Sequence, residues 1–192
     1  PELNMTQIAE RTGMHKSTVH RFLATLEAKR FLQRDPISGY YQPGVRFLQM
    51  AFLTLERNDL RRLAAPFLRQ LSEQYRETIT LSVLDNADMV YVDVVESPQR
   101  VKLAAAPGQR LPAFCTASGK AFLAYLPEEI IRRILAHGMP RHTPSTVATP
   151  EEFLKNASRT RERGFALSDQ EFEEEINAVA SPILDRNGSP LA

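Results

Sequence analysis

The apolar positions of the chain change period several times, and each change marks an element. Near the start, Thr6 is placed to cap a short helix whose inward face is Ile8 and Ala9. Gly13 interrupts it and supplies the positive φ that a tight turn between two helices needs. From about residue 16 to 29, Val19, Phe22, Leu23 and Leu26 recur at i, i+3, i+4 and i+7, which predicts a second helix with one apolar stripe. The runs Phe31-Leu32-Gln33-Arg34 and Tyr40-Tyr41-Gln42 flank turn residues 35–39 and predict a hairpin. Val45 to Leu55 is apolar nearly all round, so a helix there is expected to be buried between subunits. Leu60, Leu63, Ala64, Phe67, Leu68, Leu71 and Tyr75 stripe a further helix over 59–75, in which Pro66 removes one hydrogen bond.

Beyond residue 77 the period shortens. Ile79, Leu81 and Val83 share one face of a predicted strand over 78–84, and residues 85–88 form a turn. Residues 89–95 and 101–105 read as two more strands. Thr149-Pro150-Glu151-Glu152 is a helix start with a Thr cap and Pro at the first position; Gly164 ends that helix. Residues 165–167 and 176–184 read as strands, with a turn at Asn187-Gly188. The predicted fold class is α+β: a winged helix-turn-helix over 1–44, linker and dimerisation helices over 45–76, and over 77–192 an α/β domain with a mixed antiparallel sheet and flanking helices. Pro1 stands just before the first helix signal and Ala192 falls inside an apparent strand. The sequence is therefore expected to be part of a longer chain, with the C-terminal end of the last domain missing.

Composition narrows the function classes. At 192 residues and 43% hydrophobic, the chain can bury a core in one or two domains. A net charge of +1 excludes binding to nucleic acid by bulk charge over the whole surface. Charge is uneven, however: residues 1–44 hold six Lys/Arg against four Asp/Glu, and residues 45–192 hold 18 against 19. A single cysteine excludes a disulfide framework and a multi-cysteine metal site. Neither a signal peptide nor a long apolar run stands in the sequence, so a cytoplasmic location away from the membrane is expected.

The helix predicted after Gly13 carries chemistry on its polar side. Lys16, Ser17, Thr18, His20 and Arg21 place short hydroxyls and cations near a helix N-terminus, where phosphates are held and guanine edges are reached. The hairpin that follows is a wing, with Arg34 and Tyr41 available to the DNA backbone. Other chemistries fit less well. Ser118-Gly119-Lys120 resembles the end of a phosphate loop, but that motif needs Gly at 114 and Ser or Thr at 121, where Phe114 and Ala121 stand. Cys115 beside Phe114 and Thr116 reads as a small buried residue, not the nucleophilic partner of His137 or His142. Those histidines with Asp169 or Glu171 match no metal-ligand spacing, and the acidic run from Glu171 to Glu175 reads as a solvated face. No catalytic residue, metal or cofactor is assigned. Backbone N–H groups around Ala117–Gly119 open a helix, which is a natural anion site.

The whole chain resembles the IclR family of bacterial transcriptional regulators. The blocks that carry the resemblance are I-A-E-R-T-G-M-H-K-S-T-V-H-R-F-L-A-T-L-E over 8–27, P-A-F-C-T-A-S-G-K-A-F-L-A over 112–124, R-G-F-A-L-S-D-Q-E over 163–171 and A-V-A-S-P-I over 178–183. The resemblance implies a winged helix, a linker helix and a GAF-like effector-binding domain. It also implies dimers, often paired into tetramers, that bind double-stranded operator DNA under control of a small organic effector, commonly a carboxylic or aromatic acid. Carried over position by position, it puts DNA contacts at Lys16, Ser17, Thr18, His20 and Arg21. It puts effector contacts at Phe114, Ala117, Ser118, Gly119, Ser168, Asp169 and Ala178. Three positions depart from the family: Ser168 where an acid is common, Glu175 where Gly is common, and Ala178 where Cys is common. A bulky residue at 117 is expected to block the effector response and spare DNA binding. The competing reading is a ligand-binding protein or small-acid enzyme whose N-terminal head reads no DNA.

Overall fold

A computed structural model describes residues 2–56 and 59–192 of the chain. They divide into two compact units, Pro1–Arg62 and Leu63–Ala192.

The first unit begins with α1 (Met5–Thr12) and α2 (Lys16–Ala28). The cap of α1 is Asn4, not Thr6. The Asn4 side chain accepts from the Gln7 N–H at 3.0 Å and the Gln7 side chain accepts from the Asn4 N–H at 2.9 Å, a reciprocal capping box. Asn4 wins because its partner three residues on is a glutamine, whereas Thr6 already lies inside the first turn. Gly13 ends α1 at φ 67, and His15 caps α2 by accepting from the Ser17 N–H. Ala9, Val19 and Leu23 form a small core, with Met5, Ile8, Leu32 and Tyr41 packed against it. The predicted stripe on α2 is narrower than its spacing indicates. Val19 and Leu23 are buried, but Phe22 is 58% and Leu26 38% exposed, because α1 and the hairpin cover only one strip of the helix. The hairpin β1 (Leu32–Arg34) and β2 (Tyr41–Pro43) follows, and a backbone bridge from Leu3 to Tyr41 adds a third edge. Helix α3 (Val45–Glu56) starts beside it, with Phe47 edge-on to Phe31 at 5.4 Å.

The second unit begins within α4 (Asp59–Tyr75), which runs through Pro66. Its buried residues are Ala64, Leu68 and Ser72, while Leu63, Phe67, Leu71 and Tyr75 stay exposed, so the predicted stripe divides into a covered row and an open one. Strands β3 (Ile79–Asp85), β4 (Asp88–Val95) and β5 (Arg110–Pro112) form an antiparallel sheet in the order β3-β4-β5. A bulge between Leu81 and Ser82 breaks the alternation expected along β3, so both residues are buried in succession. Residues 101–105 form no strand; the third strand of the sheet is β5. Then come α5 (Ala117–Leu123), α6 (Glu128–Leu135) and α7 (Pro150–Arg163). Helix α6 has no counterpart in the sequence expectation, although its Glu128–Arg132 and Glu129–Arg133 pairs stand at helical spacing. Thr149 and Gly164 bound α7 as predicted, with Gly164 at φ 81.

Strands β6 (Ala166–Asp169) and β7 (Asn177–Ala180) pair by themselves, so the expected single sheet is two separate antiparallel ones. The expected strand over 176–184 stops at Ala180. Beyond it, a bridge between Leu184 and Pro190 closes the turn at Asn187-Gly188. The core gathers around α5: Met89, Ala113, Phe114, Cys115, Phe122, Leu123, Ile131, Leu135, Phe153 and Ala157 pack together.

Candidate functional site

In the first unit the polar side of α2 lies open. Lys16, Ser17, Thr18, His20 and Arg21 are all exposed, while Val19 and Leu23 on the opposite side anchor the helix. The His15 ring ties to the Ser17 hydroxyl at 2.8 Å, which orders the first turn. Thr25 returns its hydroxyl to the Arg21 carbonyl at 2.9 Å, and Arg21 is exposed. The wing is built by Asp35, whose carboxylate accepts from the Ser38 N–H at 2.6 Å and the Ile37 N–H at 2.9 Å. Those bonds, Ser38 first, hold the Asp35 carboxyl below its ordinary value. Arg34 and Tyr41 face each other across the hairpin: the guanidinium lies 5.8 Å from the ring centroid and donates to the Gly39 carbonyl at 3.3 Å. Tyr41 is half-buried against the small core, so its ring is a shelf that holds Arg34 in place.

In the second unit the structure separates the candidate effector residues into two groups. Ala117, Ser118 and Gly119 form the first turn of α5, capped by Thr116, whose hydroxyl accepts from the Gly119 N–H at 3.3 Å. Helix α5 packs against β6 and β7, and Ser168 donates its hydroxyl to the Cys115 carbonyl at 3.2 Å. Ser168 stands opposite Ala178 in the ladder, and Asp169 opposite Asn177. Six of the seven residues therefore surround the start of α5 and the β6–β7 pair. Phe114 belongs elsewhere. It lines a cleft of about 240 Å³ with Asp88, Ile134, His137 and His142, and its ring lies 5.9 Å from that of His142.

Two of these positions work differently from their sequence reading. Ala117 is 3% exposed, so a bulky residue there overpacks the core and does not act as a clean block of a pocket; Ser118, half-buried, is the accessible position of that turn. At Gly119 an added Cβ would lie 2.1 Å from the Ala113 carbonyl oxygen, so this glycine permits close packing of α5 on the strand exit.

Sequence reasoning missed Lys120 and misplaced Glu171. Glu171 is 7% exposed and forms an ion pair with Lys120, itself 6% exposed, so the acidic run is not wholly a solvated face. Burial pushes the Glu171 carboxyl up from its ordinary value against the opposing pull of the Lys120 ammonium. The available signal was a single lysine inside the apolar stretch 117–124, since a buried cation requires a partner. Cys115 is fully buried, and burial followed by the Glu171 charge pushes its thiol up to about 12. Among the described residues no three His, Cys, Asp or Glu side chains cluster to hold a metal, and no helix is long and apolar enough to cross a membrane.

Known proteins resemble the chain over the same two regions. Residues 1–36 match the IclR helix-turn-helix domain and residues 52–192 match the C-terminal domain of the bacterial transcriptional regulator IclR. The chain is 30% identical to the HTH-type transcriptional regulator XynR of Escherichia coli over 192 residues, covering 100% of this chain and 76% of that protein. It is 34% identical over 196 residues to the p-hydroxybenzoate hydroxylase transcriptional activator of Acinetobacter baylyi, covering 99% and 72%. An IclR transcriptional regulator from Alicyclobacillus acidocaldarius, solved by crystallography, superposes with a TM-score of 0.84 at 32% identity, covering 99% of this chain and 77% of that one.

Proposed function

We infer that this chain, which belongs to the IclR family of bacterial DNA-binding transcriptional regulators, reads a near-palindromic operator through α2 and releases or re-engages it when a small organic acid binds beside α5. One observation carries the reading. The exposed face of α2 concentrates Lys16, Ser17, Thr18, His20 and Arg21, while the same helix is anchored from behind by Val19 and Leu23. Such a helix presents hydroxyls and its N-terminal amides to phosphates and its arginine to base edges. Arg34, held against Tyr41, extends the contact to the backbone.

A dimer supplies two such helices for two half-sites about one helical turn apart. Support comes from α3, where Phe47, Leu48 and Leu53 are each more than half exposed. Apolar area of that extent on one helix is a dimerisation surface for a second copy. The effector site is the start of α5 with Ser168, Asp169 and Ala178, where the half-buried Ser118 hydroxyl is the accessible polar group that meets an acid. Binding changes operator affinity only to the extent that the acid prefers one arrangement of the dimer. No catalytic role is assigned to any residue.

The test is fluorescence anisotropy of the protein on its own upstream intergenic DNA against scrambled DNA, over a salt series. Phosphate contacts set a salt-dependent background on both, so the ratio of the two affinities is the informative quantity. A ratio of about 10³ or more is expected for a specific regulator. A ratio near one at every salt concentration would leave the head as a non-reading module and favour the ligand-binding or enzyme alternative.

A further inference from the structure

Lys120 is a cation where the fold has little room for one. It lies in the second turn of α5, 6% exposed, between the buried residues Gly119 and Ala121. Its ammonium makes two bonds, and both go to the same short stretch of chain. It donates to the Leu167 carbonyl at 2.6 Å and to the Glu171 carboxylate. These acceptors flank Ser168, Asp169 and Gln170. A third stitch runs from the Ser168 hydroxyl to the Cys115 carbonyl, just before the helix. The far side of the stretch is tied as well: Thr143 donates to the Gln170 carbonyl at 2.6 Å and Thr146 to the Glu171 carbonyl at 2.7 Å.

We propose that Lys120 is a positioning residue: one ammonium on α5 pins both flanks of Ser168–Gln170, so that the first turn of α5 and the end of β6 are held as one body and an effector is presented with both together. This rests on reading those two segments as the effector site. A buried ion pair is a costly way to gain stability, since well-packed apolar residues of similar volume serve as well or better. What apolar residues cannot supply is direction: a carbonyl and a carboxylate on either side of three residues fix where those residues sit relative to the helix. Lys120 is the charge that compensates the Glu171 carboxylate, with a backbone hydrogen bond from Asp169 beside it.

The experiment compares the full chain with Lys120→Met, Lys120→Met/Glu171→Leu and Glu171→Gln, by thermal unfolding and by residue-resolved amide exchange without any ligand. Lys120→Met strands a buried carboxylate, so its unfolding midpoint falls well below wild type. The apolar double variant removes that charge, and its midpoint returns close to wild type. In the double variant the Ser168 and Asp169 amides exchange about tenfold faster than wild type, while the β4 amides keep their rates. Glu171→Gln keeps an acceptor for the ammonium and holds the Ser168 and Asp169 rates within about threefold of wild type.

Wild-type rates at Ser168 and Asp169 in the double variant overturn the proposal. So does acceleration spread evenly over β4 and β6, or rates in Glu171→Gln as fast as in the double variant. Sodium benzoate and sodium acetate, titrated into the wild-type chain and followed at the Ser118 and Asp169 amides, test the effector site itself. The pin and the site therefore fail separately.

Discussion

Helices α2 and α5 begin alike and end up in opposite environments. Each has hydroxyl residues in its first turn, and each carries a lysine near its start: Lys16-Ser17-Thr18 in α2, and Ser118-Gly119-Lys120 after the Thr116 cap in α5. On α2 these groups are exposed, and only Val19 and Leu23 are buried. On α5 every residue but Ser118 is buried, the lysine included. The difference lies in what each helix is packed against. The first unit buries only Val19 and Leu23 of α2, against Ala9 and its neighbours, and leaves the opposite face of the helix open. The second unit surrounds α5 with β6, β7, α7 and the large core, leaving only Ser118 of the helix partly exposed. Similar local chemistry is thus left open in one place and enclosed in the other, according to how much of the helix is covered.

The largest effect expected from breaking this comparison is at Gly119. Gly119→Val drives a side chain into the Ala113 backbone, and the second unit should lose about 3 kcal/mol or more; urea unfolding checks it, and a loss near zero would mean that α5 is not seated as described. Leu23→Ala should cost about 3 kcal/mol, as expected for a leucine in a small core, and should abolish operator binding along with the fold of the head. Arg21→Ala separates reading from folding. Thermal stability should stay at wild type, while operator affinity should fall by about 1–3 kcal/mol and affinity for scrambled DNA by less. Equal losses on both DNAs would make Arg21 a phosphate contact. Asn4→Ala removes the capping box of α1 and should cost about 1 kcal/mol, read as a lowered unfolding midpoint of the first unit. At the small end, Cys115 with its thiol pushed up to about 12 stays protonated at pH 8. Iodoacetamide should leave it unmodified in the native chain and alkylate it in urea; rapid native labelling would show that the core around α5 opens.

Much of the architecture was legible in the chain because it rests on local chemistry. Gly13 at positive φ, the Thr149 cap and Gly164 stop of α7, and the turn at 85–88 follow from residues that act within a few positions of one another. The expected strand over 101–105 failed because apolar alternation states which side is to be covered and not whether a neighbouring strand is there to pair with it. The strand over 176–184 was shortened for the same reason: β7 pairs only as far as β6 extends. The Thr6 cap failed on a finer point, since two residues could cap α1 and the reciprocal bond to Gln7 selected Asn4.

The sequence by itself determined the helix-turn-helix and hairpin of the head, the bounds of α7, the polar face of α2 and the kinship with a family of regulators. These depend on periodicity, capping and motif spacing, all of them short-range. Tertiary structure alone decided which polar residues became interior. Lys120 and Glu171 are 51 positions apart, and no local pattern links them. They meet because α5 packs against β6, and once both are taken out of water each charge needs the other. Tertiary structure also separated Phe114 from the other candidate effector residues, placing its ring by His142 while the backbone that follows it turns into α5. Burial and long-range pairing are properties of the packed chain, and they fix the environment in which each short-range feature acts.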